Sequence, residues 1–332
     1  MSVSNDSTVL SNAEDGRALL SSAFLEFCVK VRNNDPSILP ESGYDKPFRI
    51  DHLDENESME LADALLENTN VTYLEFDTEK YTKSSAEAMA KYVRTSKTLQ
   101  RIRWRDSYRR SQQREEIICC FLHAFQESTS LNELDMKLPM QDGPSNLAFE
   151  NMLTHTQTLQ SLSLIYLHGP LEDIAVDAAR SGLKKNTTLR ELTLEFSLGA
   201  TTITPILASL RDHPLLQRLC LNVHMEDLTG LESVLLSDTP KITELEICIL
   251  SGSPPMTGLT HILQALARRP TLTRLGLQGF RLGRDEARLL GIALCTTSSL
   301  RSLVLRESTL ESSRSAGLAE LAPALCRNTI IK

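Results

Sequence analysis

The chain has 332 residues, of which 41% are apolar and 5% aromatic, with one tryptophan and a formal net charge of −8. That length holds two ordinary domains or one elongated one, and the apolar fraction suffices for a large core of aliphatic contacts. The negative charge excludes a general binder of nucleic acid or anionic membrane, since both need a cationic surface; no apolar run approaches the roughly 18–20 residues that span a bilayer.

Residues 1–15 are polar and acidic, carry no secretory apolar stretch, and are expected to be disordered. A capping helix and loop are expected over 16–46. Within 18–31, Leu20, Phe24, Phe27 and Val31 fall at helical spacing, with Asp15 and Gly16 as its start. Pro36, Pro40 and Pro47 then mark a loop.

From 47 to 332 one pattern recurs: two apolar residues separated by two variable ones, then one variable residue and a third apolar one. It appears as LQRIRW (99–104), LNELDM (131–136), LQSLSL (159–164), LRELTL (189–194), LQRLCL (216–221), ITELEI (242–247), LTRLGL (272–277) and LRSLVL (300–305). VTYLEF (71–76) is a variant copy, and PFRI (47–50) is a weaker first one. The central apolar residues, from Phe48 to Leu303, are separated by 26, 28, 32, 28, 30, 27, 26, 30 and 28 residues. Each copy alternates as a strand does. Each is followed by a polar break and a helical stretch, as at 85–93, 115–125, 204–210 and 286–294. A polar cluster such as ENTNV, TSKTL or KNTTL leads into the next strand. Neither element can bury its apolar side alone, so stacking the copies creates one shared core.

This organisation resembles the ribonuclease-inhibitor-like leucine-rich repeats, with about ten copies of strand plus helix. The resemblance implies an α/β solenoid, a horseshoe with a parallel sheet on its concave face and helices on its convex face. One departure stands out. The family places Asn or Cys three residues after the last Leu; here those positions hold Ser197, His224, Phe280 and Ser308. At the C-terminus, RNTIIK aligns with the start of KNTTLREL, which leaves the last strand with an unpaired edge. Self-association through that edge and truncation of the chain are both open.

The variable strand positions face solvent in such a sheet. Arg101, Arg103 and Arg105 then stand between Tyr73, Glu75 and Asp77 on one side and Glu133, Asp135 and Lys137 on the other. Arg103 is expected between Glu75 and Asp135, Arg101 beside Glu133, and Arg105 beside Asp77. Glu191, Arg218, Glu244 and Arg274 continue the alternation on later strands. The arginine strand is thus laterally neutralised, and its bland reading is a solvated ladder that sets register. A sharper reading adds Arg109, Arg110 and Arg114, on a loop in the longest interval, as cations available to an acidic or phosphorylated partner. Trp104 falls in the inward register and is expected in the core.

The seven cysteines lie in apolar runs with no CxxC and read as reduced thiols used as small hydrophobes in an intracellular protein. Three sequons, at Asn5, Asn56 and Asn186, are read as chance matches. The seven histidines show no metal spacing and are expected on loops or helix surfaces; no catalytic or nucleotide-binding motif occurs. The chain is therefore expected to be no enzyme, with no cofactor, and to sit in the cytoplasm, with the nucleus left open. It is expected to act as a protein-interaction scaffold with a protein partner, not nucleic acid or membrane. Candidate contacts are Tyr73, Glu75, Arg101, Arg103, Arg105, Arg109, Arg110, Asp135, Glu191, Glu195, Arg218, Glu246 and Arg306. The alternatives are a regulator of a small GTPase, which some relatives in this repeat class are, and a recognition subunit of a larger complex.

Overall fold

The computed structural model describes residues 20–38, 47–50, 53–78, 81–105, 112–137, 143–166, 173–196, 203–223, 228, 230–249, 257–269, 271–297, 299–306, 309–310 and 321–326. The chain runs α1 (Ser22–Arg32), β1 (Phe48–Ile50), α2 (Glu55–Glu67), β2 (Tyr73–Asp77), α3 (Lys83–Thr95), β3 (Arg101–Arg105), α4 (Gln112–Glu127) and β4 (Glu133–Lys137). It continues with α5 (Pro144–His155), β5 (Ser161–Tyr166), α6 (Asp173–Lys185), β6 (Glu191–Phe196), α7 (Thr204–Ser209), β7 (Arg218–Val223), α8 (Leu231–Leu236) and β8 (Glu244–Ile249). It closes with α9 (Thr257–Leu266), β9 (Arg274–Gln278), β10 (Arg281–Leu282), α10 (Arg284–Thr296), β11 (Ser302–Arg306) and β12 (Thr309–Leu310), then a helical segment at 321–326. Ten strands, β1 to β9 and β11, form one parallel sheet in chain order, while β10 and β12 pair separately. This is a repeat α/β solenoid.

Register follows the apolar pattern. Phe48, Leu74, Ile102, Leu134, Leu162, Leu192, Leu219, Leu245, Leu275 and Leu303 lie side by side across the sheet. All but Leu303 are buried under helices that each pack on the next. Burying a leucine-sized side chain contributes about 1.5–3 kcal/mol, so a one-residue slip, which would turn the row to solvent, is strongly disfavoured. Trp104 is 1% exposed and packs with Phe76, Phe121 and Phe125.

The first repeat is closed by α1. Cys28 and Val31 are fully buried, Phe27 stacks on Phe48 at 5.9 Å, and Asn68 Nδ2 donates to the Val31 carbonyl at 2.6 Å. The helix starts later than Asp15 and Gly16 suggest: Ser21 is its N-cap, and its hydroxyl accepts from Phe24 N. A short serine oxygen competes for the first free amides and stops the helix there. The expectation of disorder over 1–15 lies outside the described residues. Local signals set other helix starts. Asp54 and Glu57 form a capping box on α2, and Glu115 of α4 accepts from the Ser145 amide to cap α5 from the neighbouring repeat. Where α6 meets α5, a Cβ on Gly182 would come within 2.7 Å of Leu153 Cβ, so glycine sets that close approach.

The polar clusters before each strand turn out to be structural. The residue three before the first apolar position of a motif is buried in nearly every repeat: Asn68, Ser96, Ser128, Thr156, Asn186, His213, Arg269 and Thr297. Five share one task. Asn68, Ser96, Ser128, Asn186 and His213 accept from the amides of Val71, Leu99, Leu131, Leu189 and Leu216, respectively. The side chain thereby satisfies the amide at the turn entering the next strand. Asn186 Nδ2 also donates to the Leu153 carbonyl at 2.6 Å, so this sequon asparagine is occupied inside the fold. The eighth copy breaks the row, because Thr239 is exposed. Arg269 of the following repeat reaches back and donates to the Val234, Leu235 and Pro240 carbonyls at 2.7, 2.5 and 2.8 Å. A cation thus satisfies the carbonyl end of the short α8. The polar row expected after the last Leu is accordingly replaced by one before the first, and Phe280, at one of the expected positions, is buried at 2% exposure. Ser197, His224 and Ser308 lie outside the described residues.

His213 lies in a connection, as the sequence suggests, but is buried there. It is 3% exposed, its Nδ1 accepts from Leu216 N at 3.2 Å, and its Nε2 is buried without a hydrogen-bond partner. Burial pushes its pKa down to about 4.

Candidate functional site

The solvent face of the sheet carries three rows of side chains at alternate strand positions, because successive residues of a strand point to opposite faces. The first row runs Tyr73, Arg101, Glu133, Ser161, Glu191, Arg218, Glu244, Arg274 and Ser302. The second runs Arg49, Glu75, Arg103, Asp135, Ser163, Thr193, Cys220, Glu246, Gly276 and Val304. The third includes Asp77, Arg105, Glu195, Asn222, Cys248, Gln278 and Arg306.

Charge alternates laterally as the sequence implies. Arg103 Nε donates to Asp135 Oδ2 at 2.8 Å, and Arg101 Nε lies 2.9 Å from Glu133 Oε2. Arg218 bridges Glu191 at 3.8 Å and Glu244 at 3.7 Å. These pairs are 21–49% exposed at the side chain, where each is worth a few tenths to about 1 kcal/mol.

Glu75 differs from every other acid of the face. Its side chain is 5% exposed, and three guanidinium groups converge on it: Arg49 at 3.4 Å and Arg105 at 3.1 Å on Oε1, and Arg103 at 3.5 Å on Oε2. Oε2 has no hydrogen bond, so this carboxylate is held mainly by charge. Arg105 therefore reaches diagonally to Glu75, with Asp77 directly opposite it in register. Tyr73 is also buried, and the Arg101 guanidinium lies 4.6 Å from the centre of its ring. Arginine is the longer side chain and covers both residues, so Tyr73 and Glu75 form a floor beneath the arginines. A cation over a tyrosine face adds about 0.5–1 kcal/mol at a partly exposed site. Arg114 is not a spare loop cation: it lies in the first turn of α4, 8% exposed, and its Nη1 donates to the Thr78 carbonyl at 2.6 Å. Arg109 and Arg110 lie outside the described residues.

Farther along, Asn222 Nδ2 lies 3.5 Å from Glu195 Oε2, and Glu246 leans over Gly276, whose absent Cβ would sit 3.1 Å from Glu246 Cγ. Burial, with Glu246 nearby, pushes the Cys220 thiol up to about 11, which leaves it protonated and unreactive near neutral pH. Cys220 and Cys248 both face solvent but lie diagonally, since Cys220 is opposite Glu246 and Cys248 opposite Asn222. Among the described residues no three His, Cys, Asp or Glu side chains are placed to hold a metal ion. Among the same residues no helix is long and apolar enough to cross a membrane.

No family model and no curated protein matches this chain. Solved structures similar to this chain include two distant ones. One is titled Leiomodin-1 Actin-Binding Site 2, at 18% identity over 54% of this chain and 83% of that one, with a TM-score of 0.29. The other is a Bacteroides fragilis protein at 13% identity over 82% of this chain and 71% of that one, with a TM-score of 0.42. Likenesses this distant say nothing about what the present face binds.

The arrangement offers breadth: a single layer of half-exposed charges on one continuous sheet. The sequence located Arg101, Arg103, Arg105, Asp135, Glu191, Arg218 and Arg306 on this face, together with Glu195 and Glu246. It missed the Tyr73–Arg101 stacking and the burial of Glu75. The signal available was the run of Arg49, Arg103 and Arg105 on either side of one short acid.

Proposed function

We propose that this chain is a noncatalytic protein-interaction scaffold of the ribonuclease-inhibitor-like leucine-rich-repeat type, which presents the solvent face of its sheet to a protein partner. One observation carries this reading. The face is ten strands wide, and at Arg101, Arg103 and Arg218 its charges pair laterally with neighbouring strands, which discourages nonspecific adsorption. Electrostatic complementarity of this kind gives selectivity and encounter rate more than raw affinity. The partner is a protein whose surface reproduces the alternation with opposite sign, and no cofactor is needed.

The test is affinity capture from native lysate with the 332-residue chain, read by mass spectrometry. It is run beside a variant carrying Glu191→Ala, Arg218→Ala and Glu246→Ala. These three positions lie on the solvent face away from Glu75, so the variant keeps its circular dichroism and melting temperature. Proteins retained by the wild type and lost by the variant are the expected result. Capture that persists unchanged on the folded variant sinks the sheet-face reading.

A further inference from the structure

Acid and base are stacked unevenly along the solvent face. Arg218 is one cation between two acids, Glu191 and Glu244. Glu75 is the reverse, one acid among Arg49, Arg103 and Arg105. The two signs also differ in depth there. The side chains of Glu75 and Asp135 are 5% and 21% exposed, whereas those of Arg49, Arg101, Arg103 and Arg105 are 59, 43, 32 and 51% exposed. A chain of net charge −8 thus turns guanidinium groups outward over β1 to β3, with Glu75 and Asp135 beneath them.

The geometry suits one kind of ligand. Arg49 Nη2 lies 3.4 Å and Arg105 Nη2 3.1 Å from the same oxygen, Glu75 Oε1. These two arginines come from β1 and β3, the strands that flank β2. Their Nη2 atoms are therefore no farther apart than those two distances laid end to end, a gap that one tetrahedral oxyanion bridges with two of its oxygens. Donors are in surplus. Arg49, Arg103 and Arg105 carry more N–H groups than the oxygens of Glu75, Asp135 and Asp77 together can accept. The cluster is also set before any ligand arrives. Glu75 gathers the three guanidiniums, and Arg103 Nε donates to Asp135 Oδ2. Little side-chain freedom is left to lose on binding. Asp135, and Asp77 opposite Arg105 in register, offset part of the positive charge, so a singly charged carboxylate gains little here. A phosphomonoester brings about −1.5 to −2 charges at pH 7 and three acceptor oxygens.

We infer that Arg49 and Arg105, gathered by Glu75, form a binding site for a phosphate group carried on a serine or threonine of the protein partner. Arg103 supplies the third guanidinium, on the Oε2 side of Glu75. Clusters of arginine read phosphorylated segments through their planar forks. The inference deepens the proposed scaffold role and rests on it for the partner; the phosphate site itself can be tested without one.

The probes are O-phosphoserine and glutamate, titrated at fixed ionic strength into the 332-residue chain and followed by NMR of the arginine Nε–H groups. O-Phosphoserine should shift the Arg49 and Arg105 signals along a saturating curve, while glutamate does not saturate over the same millimolar range. Arg49→Lys with Arg105→Lys keeps both charges beside Glu75, and so the fold, but removes the forks; O-phosphoserine affinity should fall by about fivefold or more. Arg94→Lys, on α3 in the helix layer, should leave that affinity unchanged. Equal curves for the two probes, unshifted Arg49 and Arg105 signals, or an affinity that the double lysine variant retains would each overturn the inference. Capture from lysate with and without phosphatase treatment then tests the carried phosphate. Proteins lost both after phosphatase and in the double lysine variant are expected. Capture that survives both, yet disappears in the Glu191, Arg218 and Glu246 variant, leaves the sheet-face scaffold standing and removes its phosphate. Failure of the wild type to capture any protein sinks the scaffold reading and the carried phosphate together.

Discussion

Replacing His213 by asparagine should remove a pH-dependent weakness from the middle of the solenoid. In the native chain the imidazole must stay neutral: Nδ1 accepts a hydrogen bond from Leu216 N, and Nε2 is sealed in the core. Burial lowers its pKa to about 4, against about 6.5 in an unfolded chain. Above pH 6.5 both states are neutral and the residue contributes no slope. Between pH 6.5 and 4 the unfolded chain takes up a proton that the folded chain refuses, so stability falls as pH falls. A difference of about 2.5 pKa units at 1.36 kcal/mol each sets a ceiling of about 3.4 kcal/mol on that loss. Asparagine is the right replacement, because Asn186 fills the same position in the preceding strand connection and accepts from Leu189 N at 2.9 Å. It cannot titrate in this range. Urea unfolding at steps from pH 7.5 to 4 should show the wild type losing about 2–3 kcal/mol more than His213→Asn across that window. Near pH 7 the variant should equal or exceed the wild type, since the orphaned Nε2 is gone. The imidazole proton resonances should titrate near pH 4. Parallel stability curves for the two proteins, or a histidine resonance assigned to His213 that titrates near 6.5, would refute the buried neutral imidazole.

Other outcomes follow from the same geometry. Glu75→Ala leaves three arginines facing one another and should cost about 2–4 kcal/mol in urea unfolding; Glu133→Ala, which breaks a half-exposed pair, should cost less than about 1 kcal/mol. Equal losses would mean that Glu75 is no more buried than Glu133. Arg269→Lys keeps the charge but cannot satisfy three carbonyls through a planar fork, and should lower stability by about 1–3 kcal/mol. Gly182→Ala should destabilise despite alanine's helix propensity, because α5 and α6 must separate to admit the methyl; a raised melting temperature would contradict that close contact. Under native maleimide labelling at pH 8, the exposed Cys295 and Cys326 should react first. Cys28 and Cys220, whose thiols burial pushes up to about 11, should react last as read by peptide mass spectrometry.

The amino-acid pattern alone determined the period, the strand positions, the inward leucines from Leu74 to Leu277, and the order of charges along Arg101, Arg103 and Arg105. All of these are local: they depend on residues within a few positions, and a period of two or of about 28 is visible in one dimension. Only the tertiary structure decided which polar residues are buried. Asn186 and His213 look like ordinary loop residues, yet both are buried, and Asn186 also reaches the Leu153 carbonyl of the preceding repeat. Glu75 and Glu191 occupy similar strand positions, yet one is sealed and the other half open, because Glu75 has Arg49, Arg103 and Arg105 on its flanks. Arg114 reads as a loop cation and is instead fixed to the Thr78 carbonyl of the preceding repeat. For Glu75, Arg114 and the Asn186–Leu153 contact the deciding neighbour is roughly one repeat away in sequence and one strand away in space, and side-chain length and lateral stacking set the burial that no linear pattern records.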